Sequence, residues 1–206
     1  MTLLRERNEP GATAPDRVPS SPIGSWIIDP SHGSVSLTWS RLRLATITGR
    51  LHCLGVIHLD ELPPVGVIQF EQPSGLPVLT IAVDPASVDT QDTDLDARLR
   101  SPEGLDVQGH RWWTLRSESL EILPTGAWRV MAMLTTTGNP SLVELRVEVD
   151  PQASSADWLV LRGHGVLDRH AFGIGSPAST FTPQIRLDLA VRARRVEGQH
   201  PYREER

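Results

Sequence analysis

Strict alternation of apolar and charged residues in one short segment constrains the fold of this chain more than any other feature. Residues 143–150 read Val-Glu-Leu-Arg-Val-Glu-Val-Asp, with an apolar residue at every odd position. Side chains of a β-strand point alternately to opposite faces, whereas a helix would scatter these four apolar residues around its circumference. The segment is therefore predicted to be a strand with one apolar face and one face in water.

The same alternation recurs in residues 35–40, 79–84 and 185–193. One-faced strands are typical of an antiparallel sheet with one wet side, not of a parallel sheet covered on both sides. Further strands are predicted at 26–29, 41–48 continued by 49–60, 67–70, 111–120, 128–135 and 158–166. About eight strands separated by turns favour a closed barrel over an open sheet, since closure leaves no strand edge exposed. Gly49 and Gly55 are predicted to mark bulges or points of close backbone approach.

Residues 84–105 form the one stretch that favours a helix. Leu95 and Leu99 are spaced as on one helical face, Asp92 or Thr93 is suited to cap the start, and Pro102 ends the pattern. Ser101 followed by Pro102 also suits the beginning of a second short helical turn. The sequence thus predicts an all-β fold, an antiparallel eight-stranded barrel with a short helical insert laid across one end.

The ends of the chain differ from the middle. Residues 1–25 contain four prolines and no periodicity, which predicts a disordered N-terminal tail. Residues 26–195 are predicted to form a single barrel domain, and residues 196–206 a polar C-terminal tail. The first ten residues lack an apolar run long enough for a secretory signal, and no stretch approaches a membrane span. We therefore expect a cytoplasmic protein without stable membrane insertion.

Charge and cysteine content exclude several classes of function. The net charge of −5 argues against a nucleic-acid partner, which would favour a basic stripe. Basic residues gather late in the chain, but acidic residues interrupt them, so we interpret the region as a solvated strand face and a frayed end. The single cysteine, Cys53, rules out an intrachain disulfide and is expected to be a small buried hydrophobe.

One motif matches the acidic positions of a calcium-binding loop, at Asp92, Asp94, Asp96 and Glu103. Ala97 stands where the sharp turn of such a loop needs glycine, and a strand rather than a helix precedes it. We interpret the acidic residues as the start of a helix, whose N-terminus favours carboxylates.

No pattern in the sequence predicts a catalytic or metal centre. The seven histidines do not converge on the three or four ligands that zinc needs, and there is no nucleophile elbow, phosphate loop or dinucleotide fingerprint. We therefore predict no catalytic residues, no bound metal and no cofactor. An enzyme that uses His164, Asp168 and His170 remains an alternative, supported only by their proximity in sequence.

The inner faces of the predicted strands are the remaining candidate site. They are aliphatic with a few aromatic residues, and an eight-stranded barrel either fills itself or holds one slender ligand. Each buried methylene contributes about 0.8 kcal/mol, so ten would give roughly 8 kcal/mol before ordering costs, without a charged anchor. The residues predicted to line the site are Leu37, Trp39, Leu79, Ile81, Trp113, Leu145, Val147, Phe172, Ile185, Leu187 and Leu189.

Four segments, taken in order, resemble the YceI-like family of lipocalin-like, polyisoprenoid-binding proteins. They are residues 26–35, residues 83–90 followed by 99–102, residues 134–140 and residues 168–174. The resemblance implies an elongated antiparallel barrel with a helical insert, an apolar tunnel, a long-chain lipid or isoprenoid ligand and no catalytic residues. The chain departs from the family pattern at residues 95–99 and carries Leu51, Leu54, Gly104 and Leu105 where phenylalanine is usual.

The residues and the resemblance together predict a non-catalytic binding or carrier protein for a polyisoprenoid or fatty-acyl chain. The alternative from another class is a structural or interaction module with a filled core and no ligand. The sequence does not fix the oligomeric state and leaves a homodimer open.

Overall fold

A computed structural model describes residues 21–41, 45–168 and 181–196 of the 206-residue chain. Within these ranges the chain forms ten strands and one helix. In order they are β1 (Gly24–Ile28), β2 (Ser34–Arg41), β3 (Ala45–Leu59), β4 (Ile68–Gln69), β5 (Leu79–Asp89), α1 (Thr93–Arg100), β6 (Trp113–Ile122), β7 (Trp128–Thr135), β8 (Ser141–Val149), β9 (Trp158–Asp168) and β10 (Phe181–Arg195).

The strands close into an antiparallel barrel with eight positions in its wall. Going around the wall, β10 is followed by β2, β3, β5, β6, β7, β8 and β9, and β9 pairs again with β10. Strand β1 also pairs with both β10 and β3, so β1 and β2 share one position, and β4 lies off the path against β6. The closed antiparallel barrel predicted from the alternating segments is confirmed.

Most apolar residues of the described strands face the inside of the barrel, and most polar residues face outwards. Strand β7 shows the pattern clearly, because its residues alternate between buried and half-buried along its whole length. Of two adjacent tryptophans only one can face inwards, and Trp113 is buried while 43% of the Trp112 surface is exposed. No helix in the described part of the chain is long and apolar enough to cross a bilayer.

Gly55 lies where the backbones of β3 and β5 leave no room for a side chain. A Cβ atom at this position would overlap the Thr80 carbonyl oxygen and lie 2.9 Å from the Ile81 Cα atom. The predicted close backbone approach at Gly55 is therefore confirmed. The shift in register between β3 and β5 lies elsewhere, between Arg50 and His52.

Helix α1 begins where the sequence predicted, with Asp92 as its N-cap. The Asp92 carboxylate accepts hydrogen bonds from the backbone N–H groups of Asp94 and Leu95, at 3.0 and 3.1 Å. The Asp96 carboxylate is buried and accepts hydrogen bonds from the backbone and side chain of Thr90. These contacts confirm the interpretation of the acidic residues as a helix start.

The second helical turn predicted after Ser101 was wrong, since residues 101–109 form a series of turns. The backbone N–H groups of Gly104 and Asp106 both bond to the Ser101 carbonyl oxygen, and Asp106 has a positive φ of 44°, which interrupts a helix. Strand β5 also runs to Asp89, further than the alternation suggested.

The turn between β1 and β2 is held by Asp29. Its carboxylate accepts hydrogen bonds from the backbone N–H and hydroxyl of Ser31, at 3.0 and 2.6 Å, and lies 2.9 Å from His32 Nδ1. The Ser31 hydroxyl, the Ser31 backbone N–H and then His32 lower the pKa of Asp29 from 3.8 to about 2.

Replacement Asp29→Asn is expected to destabilise the protein at neutral pH and to reduce the acid dependence of its stability. A lowered carboxyl pKa contributes stability that is present above the unfolded value of 3.8 and is lost as the pH falls through about 2. Thermal unfolding of both proteins between pH 7 and pH 2 measures the effect, and the two melting temperatures should converge towards pH 2. A difference that stays constant over this range would contradict the role assigned to the carboxylate.

Candidate functional site

The inside of the barrel is lined by a continuous apolar cluster. Ten of the eleven predicted lining residues are buried and belong to it. They are Leu37, Trp39, Leu79, Ile81, Trp113, Leu145, Val147, Ile185, Leu187 and Leu189. The eleventh, Phe172, lies outside the described residues.

Strand pairing places several of these residues at one level of the barrel. Leu37 on β2 is opposite Leu187 on β10, which is opposite Gly165 on β9. Gly165 is in turn opposite Leu145 on β8, and Leu145 is opposite Val130 on β7. Because neighbouring strands in register present the same face, these side chains form one layer across the inside of the barrel.

Larger side chains cover the places where the inner wall carries glycine. The Leu145 Cδ2 atom lies 2.8 Å from where a Cβ atom of Gly165 would be, and Trp39 and Val88 lie 3.2 Å from the corresponding point at Gly49. Leu145 has an exposed fraction of 0% and Trp39 of 6%. The described lining is thus closely packed, and a ligand at this level would displace or separate side chains.

The buried side chains of the described strands are electrically neutral. They are aliphatic and aromatic groups with a few serines, and the ionisable Cys53 is 2% exposed. Burial raises the pKa of the Cys53 thiol to about 12, which keeps it protonated. This confirms that Cys53 is a small buried hydrophobe and leaves the interior with no charged group on those strands.

Trp113 introduces one polar atom into this lining that lacks a partner. Its Nε1 atom is buried and has no hydrogen-bond partner in residues 21–41, 45–168 and 181–196. An indole N–H can only donate, and a buried donor without an acceptor costs about 1–3 kcal/mol. Sequence reasoning identified Trp113 as a lining residue but not its unpaired donor, because pairing depends on neighbours distant in sequence.

Ser117 is a second polar group on the inner face of β6, and it is paired. Its hydroxyl oxygen accepts a hydrogen bond from the backbone N–H of Leu79, at 3.0 Å. This bond continues the pairing of β5 with β6 beyond Thr80, next to the bulge between Ser117 and Ser119. Ser117 therefore has a structural role in the wall.

A chain of hydrogen bonds on the outer face joins three residues that the sequence did not single out. Ser25 Oγ lies 2.7 Å from His58 Nδ1, and His58 Nε2 lies 2.8 Å from Asp60 Oδ1. The other Asp60 oxygen accepts a hydrogen bond from the Ser74 backbone N–H. These hydrogen bonds connect β1, β3 and the segment after β3, outside the apolar interior. The sequence could not predict them, because they depend on the strand pairing that places Ser25 opposite His58.

Of the three residues of the enzyme alternative, the two that the structure describes, His164 and Asp168, are not brought together. His164 and Asp168 lie on β9 four residues apart, roughly 13 Å at the usual rise per residue, and both are exposed. His170 lies outside the described residues. In the ranges described, no group of three or more His, Cys, Asp or Glu side chains is arranged to hold a metal ion.

The late arginines were interpreted as a solvated face and a frayed end, and for Arg195 this was wrong. Its guanidinium lies 4.2 Å from the Trp26 ring and donates hydrogen bonds to the carbonyl oxygens of Ala156, Ile23 and Ser21. Arg192 lies 4.0 Å from the Trp158 ring. These contacts attach the end of β10 to the start of β1 and to the turn before β9.

Solved structures share this fold. A structure described as Burkholderia cenocepacia BcnA has a TM-score of 0.61 and 16% identity, covering 80% of this chain and 98% of that one. A polyisoprenoid binding domain from Saccharophagus degradans, implicated in plant cell wall breakdown, has a TM-score of 0.61 and 12% identity over 83% and 98% of the two chains. The Campylobacter jejuni YceI protein has a TM-score of 0.59 and 18% identity over 77% and 90%.

A comparison with curated proteins gives no match. The model of the YceI-like domain matches residues 26–193, which include nearly all of the barrel. Within the described part of this range, the chain forms alternating strands, a closed antiparallel wall and a helical insert. The chain therefore belongs to the YceI-like domain family.

Proposed function

We propose that this protein is a non-catalytic binding or carrier protein for a long-chain apolar molecule, a polyisoprenoid or a fatty-acyl lipid, held inside the barrel. The observation that carries the proposal is the inner face of the wall, which is continuous, apolar and free of charged groups on the described strands. Such a surface binds hydrocarbon through burial of methylene groups and needs no ionic anchor.

Family membership supports the same class of ligand. One structural neighbour is described as a polyisoprenoid binding domain, and its fold covers 83% of this chain. A polyisoprenoid and a fatty-acyl chain present the same chemistry to an aliphatic wall, so the experiment includes a probe of each kind.

A filled structural or interaction module is the second candidate, and the packing of the interior favours it. Leu51, Ile81 and Leu145 each have an exposed fraction of 0%. A core that is filled by its own side chains needs no ligand for stability. Ligand content and ligand uptake distinguish the two candidates.

The test begins with the full chain. Extraction of the purified protein into organic solvent, followed by mass spectrometry, is expected to release an apolar molecule. The delipidated protein is expected to take up hexadecane and the isoprenoid squalane, measured by displacement of a fluorescent fatty-acyl probe. A protein that releases no such molecule and takes up neither probe would be a filled module.

Replacement Ala132→Phe is expected to reduce probe uptake at least tenfold while the protein stays folded. Ala132 is fully buried on the inner face of β7, so a phenyl ring there fills volume that a ligand inside the barrel would need when it displaces side chains. The control is Leu142→Phe on the neighbouring strand, where the side chain is 55% exposed and uptake should not change. Circular dichroism verifies folding, and equal uptake by both variants would place the ligand elsewhere.

A further inference from the structure

The unpaired indole N–H of Trp113 lies at a defined place inside the barrel. Trp113 is the first residue of β6, directly after the connection from α1, and it is opposite Val83 on β5. It is 3% exposed and shares the inward face of β6 with Leu115. Leu105 of the connection is also buried in the core. The N–H therefore belongs to the interior near the end that carries the helical insert.

Trp26 is another buried tryptophan, and its indole N–H has the kind of acceptor that Trp113 lacks. Trp26 Nε1 donates a hydrogen bond to the Pro22 carbonyl oxygen at 2.8 Å, in the part of the barrel where β1 begins. Trp113 Nε1 has no acceptor among the residues that the structure describes. Buried donors in proteins are paired in the great majority of cases, so an orphan donor on the wall of a proposed ligand site indicates a partner that comes with the ligand.

We infer that the ligand carries a neutral hydrogen-bond acceptor of the carbonyl class, which accepts the proton of Trp113 Nε1. This inference rests on the proposed function and specifies the polar end of the ligand. The acceptor lies at the insert end of the barrel, and the hydrocarbon chain extends from there towards the layer that contains Leu187 and Leu145.

Neutrality of the acceptor follows from the surroundings. An ionised carboxylate or phosphate at this depth would lose its hydration, and the buried side chains of the described strands offer it no cation. In the insert, the Arg100 guanidinium already donates hydrogen bonds to the Ala86 and Val88 carbonyl oxygens. A carbonyl oxygen has a much smaller desolvation cost, and one indole N–H compensates a large part of it. A ketone, ester or amide therefore fits the site, and an anionic head group does not.

The experiment compares two ligands of equal length, hexadecane and 2-hexadecanone, on the delipidated full chain and on Trp113→Phe. The variant keeps an aromatic ring and removes the donor, so it is expected to weaken ketone binding about tenfold relative to hexadecane. The control is Trp26→Phe, which removes an N–H that already has a protein acceptor and should leave the ratio of the two dissociation constants unchanged.

A second measurement, by NMR, uses the wild-type protein and therefore does not require that Trp113→Phe folds. In the wild-type protein labelled with ¹⁵N, the Trp113 indole N–H resonance should move downfield when 2-hexadecanone binds and not when hexadecane binds. The resonance is assigned by its absence from the spectrum of Trp113→Phe, or by selective labelling if that variant is unstable.

The outcomes separate the inference from the function on which it rests. The inference is overturned if both ligands bind, the ratio of their dissociation constants is the same in Trp113→Phe as in wild type, and the indole resonance does not move downfield. The apolar site would still stand in that case. If neither ligand binds the wild-type protein, the proposed function fails and the inference fails with it.

Discussion

Replacement Gly55→Ala is expected to lower the free energy of unfolding by about 3 kcal/mol or more. The new methyl group would overlap the Thr80 carbonyl oxygen and lie 2.9 Å from the Ile81 Cα atom. These are backbone atoms of the paired strand, which cannot rotate away as a side chain can. The wall must therefore open locally between β3 and β5, with loss of hydrogen bonds on both sides of Gly55.

Urea unfolding measured by tryptophan fluorescence tests this expectation, and Gly163→Ala is the matched control. Gly163 is also a buried strand glycine, but a Cβ atom there would lie at an ordinary contact distance of 3.4 Å from Leu189 and Val147. The control should change the free energy of unfolding by less than about 1 kcal/mol, because the methyl group fits and restricts the unfolded chain. Equal effects of the two replacements would show that β3 and β5 are less closely paired at Gly55.

Replacement Leu145→Ala is expected to cost about 4 kcal/mol of stability, towards the upper end of the range for buried leucine. Leu145 is completely buried on β8 and is opposite both Val130 and Gly165. Its Cδ2 atom covers Gly165, which has no side chain to fill the space that the deletion leaves. The cavity therefore persists, and the cost includes both lost burial and lost contacts.

Leu142→Ala on the same strand is the control for this prediction. Leu142 is 55% exposed on the outer face, so its loss should change stability by only about 0.5 kcal/mol. The comparison also bears on function, since a new cavity at Leu145 should increase uptake of a bulkier apolar probe if the ligand occupies this layer. A Leu145→Ala variant as stable as wild type would contradict the packed interior.

The two replacements measure different properties of one wall. The loss of stability in Gly55→Ala measures how closely the backbones of β3 and β5 approach. The loss in Leu145→Ala measures how completely the interior is filled. A filled interior that still takes up hydrocarbon would require the side chains of the layer to separate when the ligand enters. Trp113 would then gain its acceptor at the same moment.

Local patterns in the sequence predicted the strands and their inward faces well. The segments around Val35, Leu145 and Leu187 are strands with these residues buried, as their alternation indicated. The start of the helix at Asp92 was also predictable, since a capping carboxylate bonds to backbone groups two and three residues away. Information of this kind lies within a few residues along the chain.

The two predictions that were wrong, the helical turn after Ser101 and the frayed end at Arg195, both concern segments whose conformation depends on tertiary contacts. The turns after Ser101 replace a predicted helix because the following residues fold back onto the core, with Leu105 completely enclosed. Arg195 was assigned to a frayed end, although its partners Ile23 and Ser21 lie more than 170 residues earlier in the chain. Local propensity cannot identify partners at such a distance.

By itself the sequence determined that this chain forms one-faced antiparallel strands around an apolar interior, because alternation is a local property of each strand. Only the tertiary structure decided that β1 and β2 share one wall position, that Ser25 contacts His58, and that the buried Trp113 N–H has no acceptor in the described part of the chain. Strand register and hydrogen-bond pairing depend on which distant residues become neighbours when the barrel closes, and no local pattern specifies them.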